Sequence, residues 1–219
     1  MGKSAKICIS IALISALCAG SYAYLNPKKS TALKTPKTLT IIIGKVQLRL
    51  PENLIRDPEQ RINGTLNVLN IAANWPDFSP LITPNNLISA ENSQTQKIFM
   101  TIEAADDTIA PEQRPTNLYS RFLTTDITDN QNQLITRIFK AGSPYTGEVL
   151  HIAPPNGEIF SARCQLTKTP EVRPEHCLWQ LRTNKLDVSI RFSEDILSEW
   201  QTLNSTIRTV LENIIVKPK

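Results

Sequence analysis

The pattern of apolar and polar positions divides this chain into three zones. Residues 7–25 (ICISIALISALCAGSYAYL) are an apolar run without a charge, and residues 26–38 are rich in Lys, Pro, Ser and Thr. From residue 39 onward, short runs with a period of two alternate with turn residues, the mark of strands with one buried face. Leu39 to Ile43 and Val46 to Leu50 are joined by Gly44-Lys45, which predicts a two-residue hairpin ended by Pro51. Further strands are expected over Thr65–Ala73, Ile98–Glu103 and Leu134–Phe139. Glu148–Ile152 and Glu158–Cys164 should pair around Pro154-Pro155-Asn156-Gly157, and Cys177–Leu181 and Leu186–Phe192 around Thr183-Asn184. Asp77 to Gln96 reads as a surface loop, and Pro111 and Pro115 bracket the start of a short helix carrying Leu118, Tyr119 and Phe122. The chain closes on a helix capped by Ser193, with Ile196, Trp200, Leu203, Ile207, Val210 and Ile214 at three- and four-residue steps.

Many hairpins followed by one terminal helix predict an α+β domain. The expected architecture is a mostly antiparallel sheet with the long amphipathic C-terminal helix packed on it, preceded by one N-terminal transmembrane helix. The domain boundaries are a tail over 1–6, a membrane anchor or signal segment over 7–25, a stalk over 26–38, and one α+β domain over 39–219.

Lys3 and Lys6 ahead of the apolar run give it the order of an export signal, while its length is close to the ~20 residues that span a bilayer. Retention as an anchor is expected, with cleavage after Ala23 in Ser21-Tyr22-Ala23 as the alternative. Cys18 is poorly placed for acylation because Leu17 precedes it, and it reads with Cys8 as an apolar residue in the membrane. Lys28, Lys29, Lys34 and Lys37 follow the segment, which by the positive-inside bias argues for a domain facing the cytoplasm.

The remaining cysteines oppose that orientation. Cys164 and Cys177 are the two outside the apolar run, enclosing a short polar stretch, the pattern of a disulfide in an oxidising compartment. With His176 and His151 the sole histidines, there are too few ligands for a structural zinc. The expected location is therefore a single-pass inner-membrane protein with its domain in the periplasm.

Charge and motifs narrow the function. The chain has 24 basic residues, two of them Lys3 and Lys6, against 20 acidic ones, and no concentrated basic face of the kind that binds nucleic acid. Seven glycines leave little material for a phosphate-binding loop. Gly142-Ser143-Pro144-Tyr145-Thr146-Gly147 does not fit a nucleophile elbow and reads as a turn. His151, His176, Asp106-Asp107 and Glu175-His176 form no recognisable acid–base constellation. No catalytic residue, cofactor or metal ligand is assigned; the single expected site is the Cys164–Cys177 disulfide.

Pro51-Glu52-Asn53-Leu54-Ile55-Arg56, Gln60-Arg61 and Trp75-Pro76 resemble a group of uncharacterised bacterial membrane-anchored envelope proteins. So do Gly142 with Tyr145 and Gly147, Ala162-Arg163-Cys164, Cys177, and Ile190-Arg191-Phe192 leading to Trp200 and Ile207-Arg208. The prolines around the short helix depart from that pattern. The resemblance implies an envelope protein with one N-terminal segment and carries no catalytic residues. The expected function is a non-catalytic protein held to the membrane by residues 7–25, whose domain binds or scaffolds another envelope component. A periplasmic hydrolase-like enzyme and a lipid- or hydrophobic-ligand-binding domain are the alternatives.

Overall fold

The first hairpin shows how the alternation is used. Leu39, Ile41 and Ile43 are buried while Thr38 and Ile42 face outward, because successive side chains of a strand point to opposite faces. This strand, β1 (Thr38–Ile43), pairs antiparallel with β2 (Val46–Pro51). Gly44, at φ +59°, turns the chain between them, and a Cβ there would stand 3.0 Å from the Ala104 Cβ. The computed structural model describes residues 36–81, 96–129, 132–166 and 176–217. The expected membrane segment at 7–25 and most of the stalk lie outside the described residues. Among the described residues no helix is long and apolar enough to cross a membrane.

The run expected as one strand over Thr65–Ala73 is divided. β3 (Gly64–Leu66) lies parallel to β1 and completes a three-stranded sheet, β2-β1-β3. After Asn67 the chain crosses to the large sheet as β4 (Val68–Asn74). There it joins β5 (Lys97–Ala104), β6 (Leu123–Asp129), β7 (Ile135–Phe139), β8 (Glu148–Ile152), β9 (Ser161–Gln165), β10 (Cys177–Thr183) and β11 (Leu186–Phe192). Their spatial order is β4-β5-β11-β10-β9-β8-β7-β6, with every neighbouring pair antiparallel. The β10–β11 turn is Asn184-Lys185, one residue later than expected, and both residues take positive φ (+47° and +64°), as the favoured hairpin turns demand.

One face of the large sheet carries the main core. Trp179, Leu181, Val188, Ile190, Phe192, Met100, Ile102, Leu69 and Ile71 are buried there together with the inward residues of β1 and β2. The C-terminal segment closes this core. Ser193 accepts a hydrogen bond from the Asp195 amide and starts a 3₁₀ turn over Glu194–Glu199, which passes into the α-helix Trp200–Ile214. Trp200, Leu203, Ile207, Leu211 and Ile214 are its buried stripe, with Leu211 added to the expected positions and Val210 partly buried against the same core. Beyond the helix, Val216 donates its amide to the Gln47 carbonyl (2.9 Å) and ties the chain end to β2.

Cys164 and Cys177 face each other across β9 and β10 and are joined by a disulfide, with Cα atoms 4.1 Å apart. The thirteen-residue separation corresponds to about 3 kcal/mol of stabilisation in the chain-entropy account of loop closure. The edge of the large sheet at β4 is closed without a strand. The Gln60 side-chain amide accepts from the Asn70 amide (2.8 Å) and donates to the Val68 carbonyl (3.1 Å), and the Arg56 amide donates to the Asn70 carbonyl (2.9 Å). Arg61 holds this segment through the Ile55 carbonyl (3.0 Å). The Pro51–Arg61 motif therefore caps a sheet edge that would otherwise expose unpaired backbone groups.

Candidate functional site: a pocket on the outer face of the sheet

Among the described residues, the face of the large sheet turned away from the main core is covered unevenly. Arg56 lies over Phe99 at the β4–β5 end, and a larger segment covers the β6–β10 part. Residues directly opposite in paired strands share a face, so Leu150, Arg163, Leu178, Arg191, Phe99 and Ala72 form one row across this outer surface. Above its β8 end lies the segment expected as a short helix. The prolines divide it: 3₁₀ turns over Pro111–Gln113 and Tyr119–Phe122 flank a single α turn, Arg114–Asn117. Pro115 has no amide hydrogen, so it can occupy only the first helical turn. The segment still presents Leu118, Tyr119 and Phe122 inward, where they pack with Leu123, Phe139, Tyr145 and Leu150 as a second, smaller cluster. Gly157 (φ +83°) brings the β8–β9 loop against it, since a Cβ there would lie 2.8 Å from Ile152 and 3.2 Å from Pro115.

Aromatic rings meet edge to face in this cluster. Tyr119 lies 5.7 Å from Phe139 and 5.1 Å from Tyr145 between ring centres, and Phe122 lies 5.7 Å from Tyr145. Such pairs contribute about 0.5–1.5 kcal/mol beyond their buried area. The Tyr145 ring is offered by a turn in which the Tyr145 amide donates to the Ser143 hydroxyl (3.3 Å), so Ser143 shapes a loop, as the sequence indicates.

At the edge of this cluster opens a pocket of about 340 Å³. Tyr119, Tyr145 and Leu118 line one wall, Thr108 and Ile109 the rim, and Arg114, Arg163 and Gln180 supply its polar groups. The two arginines are held differently. Arg163 makes an ion pair with Glu148 (2.7 Å) and lies over Tyr145 (4.8 Å) and Tyr119 (5.6 Å), an arrangement in which the ring faces attract the cation. Arg114 donates to two neutral acceptors, the Gln180 side-chain oxygen (2.7 Å) and the Ile109 carbonyl (3.2 Å). Gln180 is in turn fixed by donating to Ser189 (2.9 Å). Burial pushes the Tyr119 phenol above its usual pKa, against the pull of Arg163 and Arg114, so it stands protonated at neutral pH.

Beside the pocket, acidic groups serve Arg182. Asp187 binds it through both carboxylate oxygens (2.6 and 2.8 Å), and Asp106 lies 3.4 Å away. The Asp106 carboxyl is held below the usual range, chiefly by the Thr108 hydroxyl, then by the Thr108 amide. Glu112 accepts from the Arg182 amide (2.7 Å), taking a donor beyond the end of the β9–β10 ladder.

The histidines lie elsewhere. His151 is buried on the core face, with Nδ1 3.0 Å from the Thr136 hydroxyl. Burial pushes its pKa below the usual value, against a weaker upward pull from Glu194, so it is neutral at pH 7. His176 Nε2 stands 3.4 Å from a Glu194 carboxylate oxygen. Neither histidine is among the residues lining the pocket. Glu175 lies outside the described residues. Among the described residues no three His, Cys, Asp or Glu side chains gather as metal ligands.

Neither a family model nor a curated protein matches the chain. Among solved structures, it is similar to Smlt3025, an immunity protein of the Stenotrophomonas maltophilia type IV secretion system, with 15% identity and a TM-score of 0.58. That match covers 84% of this chain and 94% of the other, so the two share a fold. The Neisseria meningitidis iron-regulated outer membrane lipoprotein FrpD matches at 10% identity and a TM-score of 0.40, over 74% of this chain and 86% of that one.

Two of the pocket's residues, Tyr145 and Arg163, stand within the motifs that carry the sequence resemblance. Arg114 and Gln180 give no local signal, and Tyr119 reads only as an apolar residue of the expected short helix. A chemically useful arginine among prolines looks like any surface arginine until the fold sets it 2.7 Å from Gln180.

Proposed function

We propose that this chain is a non-catalytic, membrane-anchored envelope protein whose exported domain binds another protein, in the manner of an immunity protein. The observation that carries the reading is the outer face of the large sheet, only partly covered by the described residues, with a polar and aromatic pocket beside the covering segment. Tyrosines and arginines fixed by their neighbours are the residue types that dominate protein interfaces. The fold likeness to an immunity protein favours a binding role, and the Cys164–Cys177 bond favours an oxidising compartment. The resemblance to membrane-anchored envelope proteins is part of the same proposal, as is retention of residues 7–25 in the inner membrane.

The test is photocrosslinking in living cells that make the full chain. A benzophenone side chain is placed at Leu178 on the outer face, and at Ser205 on the solvent side of the C-terminal helix as the comparison. We expect one discrete adduct from position 178 alone, whose protein component, once purified, binds the purified chain. No adduct at 178, or equal adducts from both positions, overturns the reading.

A further inference from the structure

We propose that the pocket between Arg114 and Arg163 is the anchor for a glutamate side chain presented by the partner protein. This rests on the protein-binding reading above and names the chemistry at its centre. A guanidinium carries five N–H donors. Arg114 directs its Nε and Nη1 to Ile109 and Gln180, also hydrogen-bonds the Tyr119 phenol, and feels Asp106 at longer range without forming an ion pair. Arg163 is already neutralised by Glu148, and among the described residues no carboxylate lines the pocket. The site therefore offers one guanidinium that is in no ion pair, its charge offset at longer range by Asp106.

A single guanidinium outside any ion pair, with Asp106 nearby, suits a monoanion and is a poor match for a phosphate dianion. Lysine and arginine partners are repelled. The walls complete the specificity: Leu118, Tyr119 and Tyr145 provide apolar surface on which the two methylenes of a glutamate can lie while its carboxylate reaches Arg114. The volume of about 340 Å³ is at the small end of ligand pockets, enough for one side chain. Gln180, Ile109 and the aromatic rings hold the guanidinia before anything binds, so little conformational freedom is lost on association.

The inference is tested on the full chain in detergent micelles by amide NMR. The probes are acetyl-glutamate methylamide, its glutamine counterpart, and inorganic phosphate. We expect the glutamate probe to shift amides around Thr108, Leu118, Tyr145 and Arg163 saturably, with a Kd on the order of millimolar. The glutamine probe should bind at least about tenfold more weakly, the scale of one charge-assisted hydrogen bond. Arg114→Gln should produce a similar loss. Gln180→Glu keeps the shape of the site and places a carboxylate beside Arg114, so it should abolish glutamate binding with the remaining spectrum unchanged. Equal binding of glutamate and glutamine, tighter binding of phosphate, or undiminished binding by the Gln180→Glu chain overturns the proposal. These readouts need no partner, so their failure leaves the crosslinking result at Leu178 standing.

Discussion

The two faces of the large sheet are closed by different means. On the inner face, aliphatic rows from β4, β5, β10 and β11 meet a fifteen-residue helix and a second sheet, and the largest fully buried side chains (Trp179, Phe160 and Phe192 foremost) lie there. On the outer face, among the described residues, one broken helical segment covers the β6–β10 part, with tyrosines and two arginines in its wall. The strands themselves are the same. What differs is the length and continuity of the covering element: a long amphipathic stripe excludes water from a whole face, whereas a segment interrupted at Pro111 and Pro115 covers a patch and leaves a boundary. Stability is concentrated on the first face, and polar recognition has room on the second.

Removing one large side chain from each face tests that division. Trp179→Ala, on the inner face, should cost about 4 kcal/mol, within the range for emptying an aromatic site in a packed core. Tyr145→Ala, on the outer face, should cost about 1–2 kcal/mol, since its ring is only half-buried and meets Tyr119 and Phe122 edge-on, Phe139 at a tilt and Arg163 through its face. Urea unfolding of both variants measures the two values, and equal losses would erase the distinction. The smallest effect concerns His151, the buried polar residue of the inner face. Its folded pKa lies below the usual 6.5 because burial disfavours the charged ring. The unfolded chain therefore binds the proton more readily in the window between the two values. Stability from this group is complete above about pH 6.5 and falls as pH drops through the folded value. Comparing urea midpoints at about pH 7.5 and about pH 5.5, the wild type should lose more than His151→Phe. An equal loss shows that His151 contributes nothing to the acid side.

Local signals carried much of this architecture. The Gly44-Lys45 hairpin, the Leu186–Phe192 alternation, the Ser193 cap and the terminal stripe depend on residues close in the chain, and the pairing of Cys164 with Cys177 follows from there being two candidates in the domain. The failures have physical causes. Thr65 to Ala73 has strand character throughout, with no Gly or Pro at Asn67 to mark the passage from one sheet to the other. β6 (LTTDITD) was not anticipated because it is polar and its register shifts between Leu123 and Ile127, which removes the simple alternation. The edge cap at Gln60 and the Arg114–Gln180 contact join residues far apart in the chain, by side-chain geometry that no spacing rule encodes.

The cross-link between β9 and β10 has a topological consequence. Those strands share three registered residue pairs, the shortest ladder in the large sheet, and the chain from Cys164 to Cys177 closes there into a covalent ring. A peptide bond cut anywhere inside that ring leaves a single molecule of unchanged connectivity between the two halves of the sheet. Nicked protein would run as one species until a reductant is added, and as two afterwards.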